Sequence, residues 1–273
     1  HSVEDTLDGL TKSSRIRDPK LIAKFDRPQN LARLDSDLVT IQSTSNKLLA
    51  SPIAGQLIDD RSTLPGSEQA MSIARLDQTN SIIIISNESH AFRLNEPGGN
   101  LSPVPITEGS WESSVAMASF SNNLYLLDPA SNQIWKHPTV EDMKYGQGNR
   151  FITDETNVSN GISLAVDGSI YVLMRDNSII KLTRGQRDGF TVKDLPKDVS
   201  LTDVRGIWTN TDTSSLYVLT KTSIFELNKT GSYSRRYVSD QFTDLTAFVV
   251  DPPAKQAWVL NGDTVFELNL TGA

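Results

Sequence analysis

Three polar side chains precede recurring apolar segments of the sequence at comparable positions. They are Asn160, Asp203 and Asp244. Carboxylate and amide oxygens are the ligands that hard divalent cations prefer, and they also hydrogen-bond to polar molecules. If the apolar segments converge, these oxygens form part of a ring that binds a divalent cation or a small polar ligand. The alternative is that they cap the starts of strands and bind water, because Ala70 and Ser114 interrupt the ring.

Thiol and imidazole chemistry is poorly represented in the chain. It contains no cysteine and three histidines, of which His1 is terminal. Disulfides, thiolate nucleophiles and cysteine-based zinc sites are therefore excluded. A histidine-dependent hydrolase needs an imidazole at its reaction centre. We interpret His90 and His137 as surface or interface residues, and we assign neither a catalytic residue nor a metal ligand.

The overall charge limits the partners that the surface can attract. The 273 residues carry a formal net charge of -7, and Arg235-Arg236 is one isolated basic pair. An acidic surface without a basic patch repels nucleic acid. No stretch approaches the roughly 20 apolar residues of a membrane-spanning helix. We therefore expect a protein or a small polar ligand as partner, without nucleic acid and without direct membrane insertion of this segment.

A two-strand unit recurs six times and organises the chain. Its clearest copy covers residues 169–182, where an apolar strand, a polar turn and a second strand follow one another. The copies are spaced by about 41 to 45 residues, which is the range of a four-stranded propeller blade. A further strand precedes each pair and opens with Ser163, Gly206 or Ala247 in the later copies. Small residues are expected where inner strands crowd around an axis.

The two ends of the chain predict how the ring closes. The last unit stops after its third strand, whereas residues 20–25 form a strand pattern with no unit of their own. We predict that this N-terminal strand completes the last blade. The fold class is then all-β, a six-bladed β-propeller with four-stranded antiparallel blades. The predicted blade units lie near residues 26–66, 67–110, 111–157, 158–200, 201–241 and 242–273 plus 20–25.

Residues 20–273 are thus expected to form a single propeller domain. Residues 1–19 would be an N-terminal extension, and His1-Ser2 resemble the remnant of an expression tag. We expect the chain to be part of a larger exported or membrane-anchored protein. An extracytoplasmic location is favoured, although the sequence does not fix the compartment.

Two segments carry a family resemblance. Residues 161–173 read Gly-Ile-Ser-Leu-Ala-Val-Asp-Gly-Ser-Ile-Tyr-Val-Leu, and residues 123–134 follow the same pattern. They resemble the NHL repeat, a look shared with TolB-like and lactonase-type six-bladed propellers. The resemblance covers about residues 26 to 270. It implies the propeller fold, whose members bind proteins or RNA, act as sensors or catalyse reactions.

Two loop aromatics and one arginine beside a strand are candidates for binding a partner or ligand. Trp111 and Tyr145 lie outside the strand pattern, and aromatic side chains on loops are typical of binding surfaces. The alternative for Trp111 is packing against a neighbouring blade. Arg205, beside a predicted inner strand, is expected to line the channel mouth together with Arg75 and Trp208.

Two functions remain open at this point. The first is a non-catalytic sensor or scaffold module that binds a ligand or protein through Asn160, Asp203, Arg205, Asp244, Trp111 and Tyr145. The second, implied by the resemblance to calcium-dependent lactonase propellers, is a metal-assisted hydrolase with a divalent cation at the channel mouth. The scarcity of histidine and the incomplete acidic ring favour the first. No cofactor is expected apart from that cation.

Overall fold

The computed structural model describes residues 3–55, 57–76, 78–106, 113–141 and 144–271. The N-terminal part contains helix α1 (Val3–Thr11), strand β1 (Ser13–Arg15) and strand β2 (Lys20–Lys24). Blade 1 comprises β3 (Pro28–Leu34), β4 (Asp37–Gln42), β5 (Lys47–Pro52) and β6 (Asp59–Thr63). Blade 2 comprises β7 (Ala70–Leu76), β8 (Ser81–Ser86), β9 (Ala91–Leu94) and β10 (Ser102–Val104).

Four more blades follow in chain order. Blade 3 comprises β11 (Ala116–Phe120), β12 (Asn123–Asp128), β13 (Gln133–His137) and β16 (Asn149–Arg150), with a separate hairpin of β14 (Thr139–Glu141) and β15 (Lys144–Tyr145). Blade 4 comprises β17 (Gly161–Val166), β18 (Ile170–Met174), β19 (Ile179–Thr183) and β20 (Gln186–Asp188). Blade 5 comprises β21 (Val204–Trp208), β22 (Ser215–Thr220), β23 (Ser223–Asn228) and β24 (Tyr233–Val238). Blade 6 contains β25 (Leu245–Asp251), β26 (Gln256–Asn261) and β27 (Thr264–Asn269).

The first strand of each blade faces the axis, and these inner strands form a closed ring. Each contacts the inner strand of the next blade, from β3 through β7, β11, β17, β21 and β25 back to β3. Each core cluster combines apolar residues of two adjacent blades, because both faces of every sheet are covered. Burial on both faces explains why the second strands read as continuous apolar runs such as Ile82–Ile85, all fully buried.

Strand β2 completes blade 6, which confirms the predicted closure of the ring. It pairs antiparallel with β27, and the register joins Lys20 to Glu267 and Lys24 to Thr264. Ile22 of β2 is fully buried in the cluster between blades 6 and 1. The last blade therefore takes strands from both ends of the described chain, and the ring has no open seam.

The N-terminal extension is itself structured. Strand β1 adds to blade 5 as a fifth strand, parallel to β24, with Ser13 opposite Arg236. Arg15 forms ion pairs with Asp8 of α1 at 2.9 Å and with Asp240 at 2.7 Å. None of the side chains of helix α1 is buried. None of the helices in the described residues has the length and apolar character needed to cross a bilayer.

The sequence predicts more variable and more polar outer strands at residues 55–60, 101–106, 149–154, 189–195 and 232–239, and the structure differs from these positions most in blade 4. In blade 4 the sequence predicts an outer strand over 189–195, whereas the structure places β20 at Gln186–Asp188. The reason is a two-residue hairpin, since Thr183 pairs with Gln186 and the intervening Arg184 and Gly185 have φ values of 52° and 84°. Positive φ at both central residues is the geometry of the tightest hairpin turn. The strand therefore turns back before residue 189.

Candidate functional site

A channel runs along the axis of the propeller and is lined by residues of all six inner strands. Its volume is about 1150 Å³, and its lining includes the small residues Ser163, Gly206 and Ala247. A Cβ on Gly206 would lie 3.3 Å from the Phe248 ring, so crowding does explain the glycine. The channel also includes Arg205, together with Arg75 and Trp208.

Asn160, Asp203 and Asp244 occupy equivalent positions on one face of the ring. We call this side, where the inner strands begin, the entrance face. The carbonyl oxygens of the three residues accept hydrogen bonds from the turn between the second and third strands of their own blades, at 2.9, 3.0 and 3.0 Å. Their side chains are exposed. The three residues precede the inner strands of consecutive blades 4, 5 and 6. They lie beside the channel and do not line it.

Arg205 and Asp244 form an ion pair across the boundary between blades 5 and 6. Arg205 Nη2 lies 3.8 Å from Asp244 Oδ1, and the two side chains are 46% and 53% exposed. The Asp244 amide also donates to Asn261 Oδ1 at 2.9 Å, which fixes the backbone below the pair. The structure thus brings two of the predicted site residues together at the channel rim.

The entrance carboxylates do not gather into a metal centre. Within the described residues, neither Asp203 nor Asp244 shares a group of three His, Asp or Glu ligands close enough to hold one ion. In addition, the guanidinium of Arg205 places a positive charge beside Asp244. Like charges repel at this range, so Arg205 disfavours a divalent cation at that carboxylate.

The prediction that two loop aromatics form a recognition surface can be compared with the structure for one of them. Trp111 lies outside the described residues. Tyr145 is fully buried in the core cluster between blades 2 and 3, which differs from the expected exposed position. Its amide donates to the Pro105 carbonyl at 3.0 Å, so the hairpin of β14 and β15 folds back against blade 2. Burial raises the pKa of Tyr145 to about 12, and the ring serves packing in this conformation.

The opposite mouth of the channel, where the inner strands end, holds Arg75, which was expected at the same mouth as Arg205. It also holds Arg33, Asp35 and Asp251, which the sequence did not indicate. Arg33 of blade 1 forms an ion pair with Asp251 of blade 6, and each side chain is 23% exposed. Asn80 donates to the Asp35 carboxylate and accepts from Arg75 Nη2 at 3.2 Å. The Arg33–Asp251 and Asn80–Asp35 contacts join neighbouring blades. Arg33 and Asp251 are 218 residues apart in the sequence, and closure of the ring brings them together.

The two internal histidines lie in different environments. His137 is buried, its Nδ1 is 3.1 Å from the Gly146 carbonyl, and burial lowers the pKa of the imidazole. His90 is exposed on the entrance face, and its Nδ1 lies 3.0 Å from Glu68 Oε1. Glu88 completes a group of three potential ligands with them. Sequence reasoning missed this group, although aligning the repeats places Glu68 and His90 in two loops at the same end of one blade.

Comparison with known proteins supports the fold. No protein-family model matches the chain, and no curated protein sequence matches it. Among solved structures, a gluconolactonase from Xanthomonas campestris is similar with a TM-score of 0.62 at 12% identity, over 94% of this chain and 96% of that one. YCF48 bound to D1 peptide is similar with a TM-score of 0.58 at 9% identity, over 94% and 96% of the two chains.

PorZ, a surface component of the type-IX secretion system of Porphyromonas gingivalis, is similar with a TM-score of 0.57 at 12% identity. The match covers 93% of this chain and 38% of PorZ, so the chain spans well under half of that protein. Identities this low show the fold alone, because unrelated functions share it. The chain is a six-bladed β-propeller, and its function has to be argued from its own residues.

Proposed function

We propose that this propeller is a non-catalytic module that binds a protein or a small polar ligand through its entrance face. The observation that carries the proposal is the half-exposed ion pair of Arg205 and Asp244 at the channel rim. The closed ring fixes the backbone of both residues before binding, and a backbone that is already ordered loses little freedom on association. Asp203 and Asn160 extend the same polar surface across blades 4 to 6.

The chemistry of this surface favours a partner with both donors and acceptors. The Arg205 guanidinium offers five N–H donors. Its single contact to Asp244 leaves most of them available to a ligand. The exposed carboxylates of Asp244 and Asp203 supply acceptors on the same face. The module would form part of a larger exported or membrane-anchored protein, and PorZ supplies an example of a longer protein with a similar region.

The second candidate is a metal-assisted, lactonase-like hydrolase at the channel mouth. The similarity to a gluconolactonase supports it at the level of the fold. The position of Arg205 beside Asp244 weighs against it, because the site already contains a cation. The two candidates therefore differ in a measurable requirement for divalent metal.

A peptide-display selection on the immobilised chain tests the first candidate. We expect the selected peptides to lose binding to Arg205→Ala and Asp244→Ala, and to keep it with the control variants Lys181→Ala and Asp188→Ala. The control pair lies 3.5 Å apart on the outer strands of blade 4, away from the rim. Peptides that bind the rim variants and the parent equally would remove the entrance face from the site.

Hydrolysis of gluconolactone in the presence of Ca²⁺, Zn²⁺ or Mn²⁺ tests the second candidate. We expect no turnover above the rate in buffer. Metal-dependent turnover that disappears in Asp244→Asn would support the hydrolase and contradict the proposal of a non-catalytic binding module.

A further inference from the structure

We propose that Glu68, Glu88 and His90 bind one divalent transition-metal ion of the Zn²⁺ type on the entrance face of blade 2. One ligand atom from each residue lies within 4.8 Å of the other two, and Glu68 Oε1 lies 3.0 Å from His90 Nδ1. This site is separate from the channel rim of blades 5 and 6. It stands independently of the function proposed above.

The backbone holds the two loops of the site against each other. Glu68 lies in the segment that leads into β7, and Glu88 and His90 lie in the turn between β8 and β9. The Gln69 amide donates to Asn87 Oδ1 at 2.8 Å, and the Asn87 amide donates to the Gln69 carbonyl at 3.0 Å. This reciprocal pair fixes the distance between the loops without any contribution from the proposed ligands.

Ser86 orients the ligands from below. Its hydroxyl is buried and donates to Glu68 Oε2 at 2.5 Å. The Ser86 Oγ atom also accepts hydrogen bonds from the amides of Glu88 and His90, both at 3.3 Å. Hydrogen bonds of this kind to ligating carboxylates are typical of protein metal sites, where they fix ligand orientation.

The charge of Glu68 is an independent indication that a cation belongs here. Its side chain is only 9% exposed, and within the described residues no lysine or arginine lies within ion-pair distance of it. The imidazole of His90 is its one potential cationic partner, and that ring is 60% exposed. A buried carboxylate needs a compensating charge, and a bound metal ion supplies a permanent one.

The ligand types select the metal. One imidazole nitrogen and two carboxylates suit zinc and its neighbours, whereas Ca²⁺ and Mg²⁺ prefer oxygen ligands alone. Ligand atoms at about 2.0 to 2.2 Å from a tetrahedral ion lie roughly 3.3 to 3.6 Å apart. The 3.0 Å between Glu68 Oε1 and His90 Nδ1 requires only a small shift of the exposed ring. The ion would take the place of the proton between these atoms, and a fourth position would remain for water.

Calorimetric titration of the full chain with Zn²⁺ in metal-free buffer tests the proposal. His1→Ala serves as the parent, because it removes the terminal histidine as a competing ligand. We expect one Zn²⁺ per chain, and binding weaker by about tenfold or more in His90→Gln and in Glu88→Gln, since even indirect disruption of a metal site has effects of this size. Glu155→Gln, which changes an exposed carboxylate elsewhere, should bind as the parent does.

A second readout separates metal binding from folding. Glu88 is exposed and is not the charge partner of Glu68, so Glu88→Gln should unfold at the parental temperature without metal and lose only the rise in Tm that Zn²⁺ produces. Co²⁺ added to the parent should give visible absorption bands that His90→Gln lacks. Parental Zn²⁺ affinity in both variants, or no saturable binding by the parent, would overturn the site and leave Glu68 and His90 as an ordinary ion pair.

Discussion

The guanidinium of Arg33 lies 4.9 Å above the ring centroid of Trp258, so a cation of blade 1 covers a fully buried indole of blade 6. The same guanidinium forms an ion pair with Asp251 of blade 6. Cation–π contacts contribute about 0.5 to 1 kcal/mol at exposed sites and about 2 kcal/mol or more when fully desolvated, and the largely shielded Arg33 lies between these limits. The first and last blades are therefore joined by side chains as well as by the shared strand β2.

A double-mutant cycle on Arg33→Ala and Asp251→Ala measures this link. We expect a coupling of about 0.5 to 3 kcal/mol in urea unfolding, because both side chains are largely shielded from water. The matched cycle Lys47→Ala and Asp60→Ala concerns a pair 2.6 Å apart whose side chains are 39% and 56% exposed. It should give about 0.2 to 1 kcal/mol. Equal couplings in the two cycles would contradict a special role for the seam.

Substitution of Ile22 tests the closure by β2. Ile22→Ala should lower the free energy of unfolding by about 2 to 5 kcal/mol, because it leaves a cavity in the cluster between blades 6 and 1. Leu21→Ala is the control, since this neighbour in the same strand is 52% exposed. Its effect should stay within about 0.5 kcal/mol in chemical denaturation. A similar loss in both variants would mean that β2 is not packed as described.

Asp128 should make the protein sensitive to acid. Burial alone would raise the pKa of its carboxyl, but hydrogen bonds from Ser131 and Trp135 lower it below the ordinary value of 3.8. The unfolded state then binds the proton more tightly than the folded state. The stabilisation is present above the unfolded pKa and is lost as pH falls through the folded one.

The measurement compares the parent with Asp128→Asn between about pH 6 and pH 3. The difference in their free energies of unfolding should narrow as pH falls, because the parent alone loses this contribution. Asp198→Asn, at an exposed position, should run parallel to the parent. A constant difference between the parent and Asp128→Asn across the range would exclude the mechanism.

Tyr145 should make the stability of the fold depend on pH in the alkaline range. Its pKa is about 12 in the fold against 10.0 ordinarily, so the neutral phenol is favoured by folding. The resulting stability is complete below pH 10 and is lost as pH rises through the folded value. Tyr145→Phe should therefore lose less stability than the parent between about pH 10 and 12, as followed by circular dichroism. Equal alkaline losses would place the ring in water, where it could serve as the predicted contact residue.

The sequence predicted the architecture well because the architecture is repetitive. Residues 20–25 were predicted to close the ring, and β2 spans Lys20–Lys24. Continuous apolar runs in every unit identified the buried second strands. Outer strands were harder, since their position depends on turns such as Arg184-Gly185, whose left-handed backbone is not evident from composition. Strand β1 followed no repeat, and its parallel pairing with β24 could not be predicted.

The candidate sites were predictable only in part. Asp203 and Asp244 were expected on one face from their place before inner strands, and they lie there. The contact between Arg205 and Asp244 depended on which face of β21 the Arg205 side chain occupies, and the sequence did not determine that face. The group around Glu68 depended on hydrogen bonds between two loops that are about twenty residues apart, a separation that propeller repeats bring together. Tyr145 was predicted on a surface because its hairpin lies outside the repeat, but that hairpin folds back onto blade 2.

The pairing of β2 with β27 also determines how the ring responds to mechanical force. Lys20 at the start of β2 lies opposite Glu267 near the end of β27, so tension on the two strand ends acts at one end of the ladder. Once β1 has detached from blade 5, the hydrogen bonds between β2 and β27 would break one after another, as in a zipper, instead of sharing the load. The strand that closes the ring at equilibrium is therefore the joint at which the ring itself opens once tension has released β1.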